Sequence, residues 1–239
     1  MAKSDDRQSG GPAPFETAPF KAALRRPYAR AYAWYHLLAV DHGLFRLAYL
    51  NAHKVSQTLW RSAQPAPHDL SRFAKRGVKT VLCIRAGLQL PGLDLEREAC
   101  DALGLRLIEL NIRGRAAPSR EAIEDLIGLL RSIEYPALVH CKSGADRTGL
   151  VAAIYQLAVE KRPLAEAMGQ LSPWYGHLRG SRAGILDAFF DGYARDGAAN
   201  GLDFETWLKN HYDPSRLASD FHARPWATWL TDTLLRREY

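Results

Sequence analysis

Residues 137–150, ALVHCKSGADRTGL, constrain this chain more than any other stretch. The apolar run Ala137, Leu138, Val139 reads as a buried strand, and past Thr148 the residues Leu150, Val151, Ile154, Tyr155 and Leu157 recur at helical spacing. A strand, a tight loop and a helix N-terminus therefore follow one another within a few residues. A helix start offers unpaired N–H groups and the positive end of its dipole, so a loop wrapped over it suits a tetrahedral oxyanion such as phosphate.

The residue types of the loop fit nucleophilic chemistry on such an anion. Cys141 ends the strand, where the loop amides and the Arg147 cation would lower its thiol pKa and leave it as the thiolate, the nucleophilic form. Arg147 has a planar fork that can hold two phosphoryl oxygens at once. Gly144 permits a positive φ or a close backbone approach, and Gly149 lets the helix pack closely on the sheet. Thr148 can place a hydroxyl near the sulfur and stabilise it as a leaving group.

These residues reach a known pattern: HCKSGADRTG resembles the phosphate-binding loop of the cysteine-dependent phosphatases, the protein tyrosine and dual-specificity superfamily. Cys-x5-Arg alone is a weak signal, since Cys100 and Arg106 repeat that spacing, with Gly104 between them, in a helix end running into a strand. His140, Gly144, Thr148, Gly149 and the strand-before, helix-after context make the match at Cys141 specific. The resemblance implies a dual-specificity-phosphatase-like α/β fold, with a central parallel or mixed sheet of about four to five strands flanked by helices. It also implies hydrolysis of phosphate monoesters through a phosphocysteine, with no metal or cofactor. Carried over residue by residue, it makes Cys141 the nucleophile and Arg147 the oxygen-holding cation, with Lys142, Ser143, Gly144, Ala145 and Thr148 around the substrate phosphate. WRSAQP followed by GVKTVLCIR resembles the entry region of bacterial and atypical dual-specificity phosphatases. There Arg61 and Arg85 either lean toward the phosphate or serve as structural ion pairs.

The chain departs from the family at the general acid. The loop 111–119, NIRGRAAPS, holds no Asp where the family keeps one; Arg113 and Arg115 bracket Gly114 and would form a basic lid over the substrate. Asp146, just before Arg147, matches the position of the aspartate thought to act as acid in myotubularin-type lipid phosphatases. Alternatively Asp146 orients Arg147 or the loop amides, and the leaving group is a weak base that needs little protonation. Lys142 follows the cysteine as in the HCKAG loops of phosphoinositide phosphatases, which carry a second lysine where this chain has Ala145. Phosphorylated protein is the substrate the resemblance gives first. Lys142 and the two lid arginines favour a more highly charged substrate, a phospholipid or inositol phosphate, and a weakly catalytic phosphate-binding module is a third reading. In some related phosphatases a strand cysteine protects the thiolate as a reversible disulfide, which would make Cys83 a partner for Cys141; otherwise Cys83 is a small buried hydrophobe.

The rest of the chain reads as one domain with extensions, 47% hydrophobic and 24% charged over 239 residues. Residues 1–18 are polar and Gly/Pro-rich, a disordered leader too polar for a signal peptide. Residues 19–56 form an amphipathic extension whose aromatic and aliphatic residues are interleaved with Arg30, Asp41, His42 and Arg46. Its uncharged run 31–40 is about half of the ~20 residues a membrane span needs. The extension either packs on the domain or lies on an anionic membrane surface beside Arg25, Arg26 and Arg30. The phosphatase domain spans 57–196: strands at 57–61, 78–84 and 105–112 alternate with helices at 69–76 and 94–103, and helices follow at 120–132, 148–161, 164–171 and 185–193. Within it, loop 172–184 carries Trp174, Tyr175, His177, Arg179 and Arg182, which either wall the substrate or cover the core; His177 is a candidate base. GAANG at 197–201 reads as a linker to a helical extension, 197–239, whose helix start is Asp213-Pro214. A net charge of +6 suits acidic partners, phosphate esters or anionic membranes, and no motif supports nucleic acid. Three cysteines without paired spacing argue against a disulfide framework or a zinc site, and a thiolate nucleophile fits the cytoplasm.

Overall fold

The computed structural model describes residues 27–41, 43–85, 90–229 and 231. The leader 1–18, Arg25, Arg26 and His42 lie outside the described residues. In chain order the elements are α1 (Pro27–Tyr35), continued by a π-helical turn His36–Val40, α2 (Gly43–Ala48), β1 (His53–Lys54), β2 (Leu59–Ala63), α3 (Pro67–Lys75), β3 (Thr80–Cys83) and α4 (Pro91–Leu103). Then come β4 (Arg106–Glu109), α5 (Arg120–Ser132), β5 (Ala137–Cys141), α6 (Asp146–Ile154), α7 (Leu164–Met168), α8 (Ile185–Gly192), α9 (Phe204–Asn210), α10 (Pro214–Asp220) and α11 (Pro225–Trp229). Among the described residues no helix is long and apolar enough to cross a membrane.

The described strands form one five-stranded mixed sheet in the order β1-β2-β5-β3-β4, as the α/β reading expects. β2, β5, β3 and β4 are parallel; only the short β1 at the edge runs against its neighbour. β5 is central and buried at all five positions, which is why it is a continuous apolar run rather than an alternating one. Its carboxyl end, and therefore Cys141, opens where parallel sheets hold their ligands.

Side chains alternate across the sheet. Leu59, Leu82, Val139 and Cys141 face α5, α6 and α8, packing with Ile123, Leu130, Leu150 and Leu186. Val81 and Leu138 face α3 and α4, packing with Leu70, Phe73 and Cys100. α5 has the expected bounds: Ser119 caps it, accepting from the Ala122 amide at 3.2 Å, and Ile123, Leu126, Ile127 and Leu130 form its buried stripe. Other boundaries shift for local reasons. Pro91 starts α4 rather than preceding it as a turn, because a helix N-terminus tolerates a residue without an N–H. The helix after the loop starts at Asp146, not Thr148, so Arg147 lies in its first turn.

Both extensions are bound into the domain. α1 packs on α4 through Ala33, Leu37 and Leu95 with Ala66, and Arg30 donates to Glu98 at 2.7 Å, while Tyr28, Tyr32 and Tyr35 stay exposed. The 197–201 stretch is not an open linker: Ala198–Asn200 is a 3-10 turn, and a Cβ on Gly197 would lie 2.5 Å from the Tyr193 ring. Phe204, Trp207, Leu208 and Tyr212 join the main core with Phe189 and Phe190. Tyr212 then donates its hydroxyl to the Pro118 carbonyl at 2.7 Å, tying the C-terminal segment to the end of the 111–119 loop.

Asp41, between α1 and α2, is the main polar tie of the N-terminal extension. Its carboxylate accepts from Arg85 at 2.9 and 3.0 Å and from Arg46 at 2.9 Å, and lies 3.2 Å from Lys142 Nζ. Burial alone would raise its pKa, but the three cations outweigh it and hold the carboxyl down at about 2. Removing one partner from so buried a network leaves an unpaired charge, worth about 3–5 kcal/mol. Asp41→Ala should lower unfolding stability by that order in urea titrations. Because the folded pKa is depressed, this stabilisation is present above the unfolded pKa and lost as pH falls through about 2, so the gap between wild type and variant should narrow in acid.

Candidate active site

The loop between β5 and α6 is held from behind by its carbonyls. The Lys142 carbonyl accepts from the Gln64 amide at 3.3 Å, and that of Ser143 from Asn51 Nδ2 at 3.0 Å. Arg61 donates to the Gly144 carbonyl at 2.7 Å and to that of Ala145 at 3.3 Å. A trans peptide points its N–H opposite to its C=O, so the amides of residues 143–146 turn to the concave side. Gly144 adopts φ +71°, and a Cβ there would lie 2.6 Å from Ala63 N. Only glycine fits.

Arg61 is thus a scaffold residue, not a phosphate ligand. It is fully buried, its other nitrogen donates to the Gln170 carbonyl and Oε1 at 2.7 and 2.8 Å, and its guanidinium lies 3.7 Å from the centre of the Tyr175 ring. Arg85 is also structural, bonded to Asp41 and the Gln64 side chain. Arg85 thus takes the ion-pair role the sequence left open, while Arg61 is structural through carbonyls, the Gln170 side chain and the Tyr175 ring.

Cys141, Lys142, Ser143, Asp146 and Arg147 line a cleft whose opposite wall is Gly114 and Arg115. Gly144 and Ala145 are buried within the loop, and Thr148, buried in the first turn of α6, hydrogen-bonds the sulfur. Arg147 donates to the Ile84 carbonyl at 3.1 Å, and its aliphatic stem lies against Gly114, where a Cβ would come within 2.9 Å of Arg147 Cγ. Arg113 is exposed and does not line the cleft; Arg115 does. Lys142 reaches the cleft already paired with Asp41.

Burial favours the neutral thiol of Cys141, but the Arg147 cation and the Thr148 hydroxyl and amide outweigh it, with Asp146 opposing, so its pKa falls below that of an ordinary cysteine. The other cysteines go the other way. Burial pushes the thiols of Cys83 and Cys100 up, helped by Glu96. Strand register sets Cys83 beside His140, and Cys141, one residue further on, points to the opposite face. A Cys83–Cys141 disulfide would require turning a strand over. Cys83, Glu96 and His140 bring donor atoms within 4.8 Å of one another, and His140 Nε2 bonds Glu96 Oε1 at 2.5 Å. That bond fixes the ring preceding the nucleophile.

Asp146 is placed in the cleft and also behind it: its Oδ1 is 2.7 Å from His177 Nδ1, and His177 Nε2 is 2.6 Å from Asp187 Oδ2 on α8. His177 is fully buried. Gly149 packs against the Gln170 carbonyl and Leu171 rather than the sheet. Asp41, Asn51, Gln64, Glu96, Gln170 and Asp187 all support the site, and none carries a local sequence signal; Asn51, at φ 52°, is an ordinary residue in a left-handed turn.

A family model described as DSP-PTPase phosphatase fused to NAD+ kinase matches residues 47–173. The chain belongs to this family of phosphatases. It is a cysteine-dependent phosphatase of the protein tyrosine/dual-specificity type, a phosphoric monoester hydrolase. The dual specificity protein phosphatase TpbA of Pseudomonas aeruginosa is 28% identical over 184 residues, covering 77% of this chain and 78% of that protein. The inositol diphosphatase DSP1 of Oryza sativa is 27% identical over 173 residues, covering 70% and 66%. A crystal structure of P. aeruginosa TpbA has a TM-score of 0.49 at 24% identity, covering 68% of this chain and 93% of that one.

Iodoacetamide at neutral pH should therefore label Cys141 and leave Cys83 and Cys100 unmodified by peptide mapping, with Arg147→Lys retaining much of that reactivity and Arg147→Gln moving it to higher pH. Arg61→Met should cost activity, by about 10²-fold or more as expected for misplaced oxyanion donors, although Arg61 does not reach the cleft. Phosphate or vanadate inhibition would weaken in parallel.

Proposed function

We propose that this phosphatase acts on phosphorylated protein, phosphotyrosine foremost, with Cys141 attacking phosphorus, Arg147 and the amides of 143–146 holding the phosphoryl oxygens, and Asp146 serving the leaving group as acid. The observation that carries the chemistry is Cys141, its thiol pKa lowered by Arg147 and Thr148, at the mouth of a loop whose carbonyls 142–145 are held on the far side. Thr148 would then steady the departing sulfur when the phosphocysteine is hydrolysed. The charge at the mouth favours a substrate with one phosphate: Lys142 is offset by Asp41, and Arg113 does not line the cleft. TpbA, a dual specificity protein phosphatase by name, points the same way.

Arg115 in the cleft and the net charge of +6 favour a second reading, an inositol phosphate or phospholipid headgroup, in line with the relative named as an inositol diphosphatase. Peripheral contact of the N-terminal extension with an anionic membrane belongs to that reading and draws on the exposed Tyr28, Tyr32 and Tyr35. A cytoplasmic setting suits either substrate, because the nucleophile must stay reduced.

Phosphate release by reduced protein, with Cys141→Ser beside it, on a phosphotyrosine peptide, an inositol polyphosphate and phosphoinositide vesicles separates these readings. Turnover highest on the peptide and abolished in the variant is expected. Preference for the inositol ligand or the vesicles would overturn the substrate assignment, and binding without turnover on any would make the protein a phosphate-binding module.

A further inference from the structure

The buried line Asp146–His177–Asp187 crosses from the first turn of α6 to α8 and ends in the catalytic cleft. One imidazole is bonded at both nitrogens to carboxylates, at 2.7 and 2.6 Å. An imidazole can donate at both nitrogens only as the imidazolium, and two carboxylate acceptors favour that form. Burial opposes the charge, but the bonds to Asp146 and Asp187 outweigh it and raise the His177 pKa to about 9. His177 and Asp187 are buried, and the line meets the cleft at Asp146.

The geometry has a consequence for Asp146. Its Oδ1 accepts from a charged N–H, so a proton added to this carboxyl sits on the other oxygen, Oδ2. The imidazolium thereby makes Asp146 a one-sided proton group. Loop 111–119 has no carboxylate of its own to do this work.

We propose that His177, kept charged by Asp187, is the positioning residue that orients Asp146 as the proton donor and acceptor of the phosphatase reaction. This rests on the reading of Asp146 as leaving-group acid. In the first step Sγ bonds phosphorus, the P–O bond breaks with its electron pair going to the leaving oxygen, and Asp146 gives that oxygen its proton. In the second, water attacks phosphorus and returns a proton to Asp146, while the pair of the P–S bond goes back to sulfur. His177 keeps its proton throughout and contacts neither substrate nor sulfur. Its part is to fix which oxygen of Asp146 exchanges protons.

The test compares phenyl phosphate, whose leaving group needs a proton, with p-nitrophenyl phosphate, whose leaving group needs little. Asp146→Asn, His177→Gln and Asp187→Asn are measured on both substrates, and the ratio of kcat values is taken within each preparation, so partial unfolding cancels. His177→Gln is expected to lose about 10²-fold more kcat on phenyl phosphate than on p-nitrophenyl phosphate, the range of general acid catalysis, with KM little changed. Asp187→Asn, which keeps the shape of the line, should shift the ratio the same way by a smaller factor and stands in if His177→Gln does not fold. Selective loss in Asp146→Asn alone, with the other two variants losing both substrates equally or neither, overturns the role of His177 and leaves Asp146 as the acid. An unchanged ratio in Asp146→Asn overturns the reading of Asp146 itself.

Discussion

The site depends on one constraint: four consecutive carbonyls, those of residues 142–145, are held on the outside of the loop. Without those bonds a four-residue turn between a strand and a helix has many conformations, and most would point some carbonyls at a bound phosphate. Arg61 supplies the strongest hold because its charge is buried and its fork spans two peptide planes. A buried cation is costly to desolvate, and here Gln170, the loop carbonyls and the Tyr175 ring together offset that cost. The cradle for an anion is thus maintained by a cation that never meets the anion.

Charge in this site is arranged in compensated groups. Arg46, Arg85 and Lys142 share Asp41, while His177 sits between Asp146 and Asp187. Each group satisfies ions that would otherwise be unpaired in a low-dielectric interior. Arg147 and Arg115 both line the cleft that holds Cys141. Arg147 is the cation that brings the thiol below its ordinary pKa against the effect of burial. Because Asp41 comes from the N-terminal extension, the charge of Lys142 is set by a segment far from the loop in sequence.

The loop was legible because its chemistry is local. Cys141, Gly144, Arg147 and Thr148 lie within eight residues, and strand and helix periodicities flank them, so both the α/β class and the nucleophile follow from one window. The supports were not legible for the opposite reason. Asp41 meets Lys142 across about a hundred positions, Asn51 meets Ser143 likewise, and Asp187 meets Asp146 only through His177; an Asp or Asn carries no periodic signal of such a contact. Arg61 and Arg85 showed as residues of interest but not which way they faced. Arg113 and Arg115 flank one glycine and look equivalent in sequence, yet of the two Arg115 lines the cleft and Arg113 faces solvent. Strand parity separated Cys83 from Cys141 in the same way: one residue of register decides the face.

The extensions belong to this account as walls rather than attachments. The N-terminal one delivers Asp41 and Asn51 to the back and rim of the loop, and the C-terminal one, through Tyr212 and the Pro118 carbonyl, fixes the far end of the segment carrying Gly114 and Arg115. A lid without a carboxylate need not move to bring an acid to the substrate, so it can be pinned at its end. Under the proposed mechanism the proton group comes instead from the opposite wall of the cleft, in the first turn of α6. Asp146 sits there, tied to the buried His177, which Asp187 on α8 holds in turn; that is the support the proposed fixed acid requires and a mobile one does not.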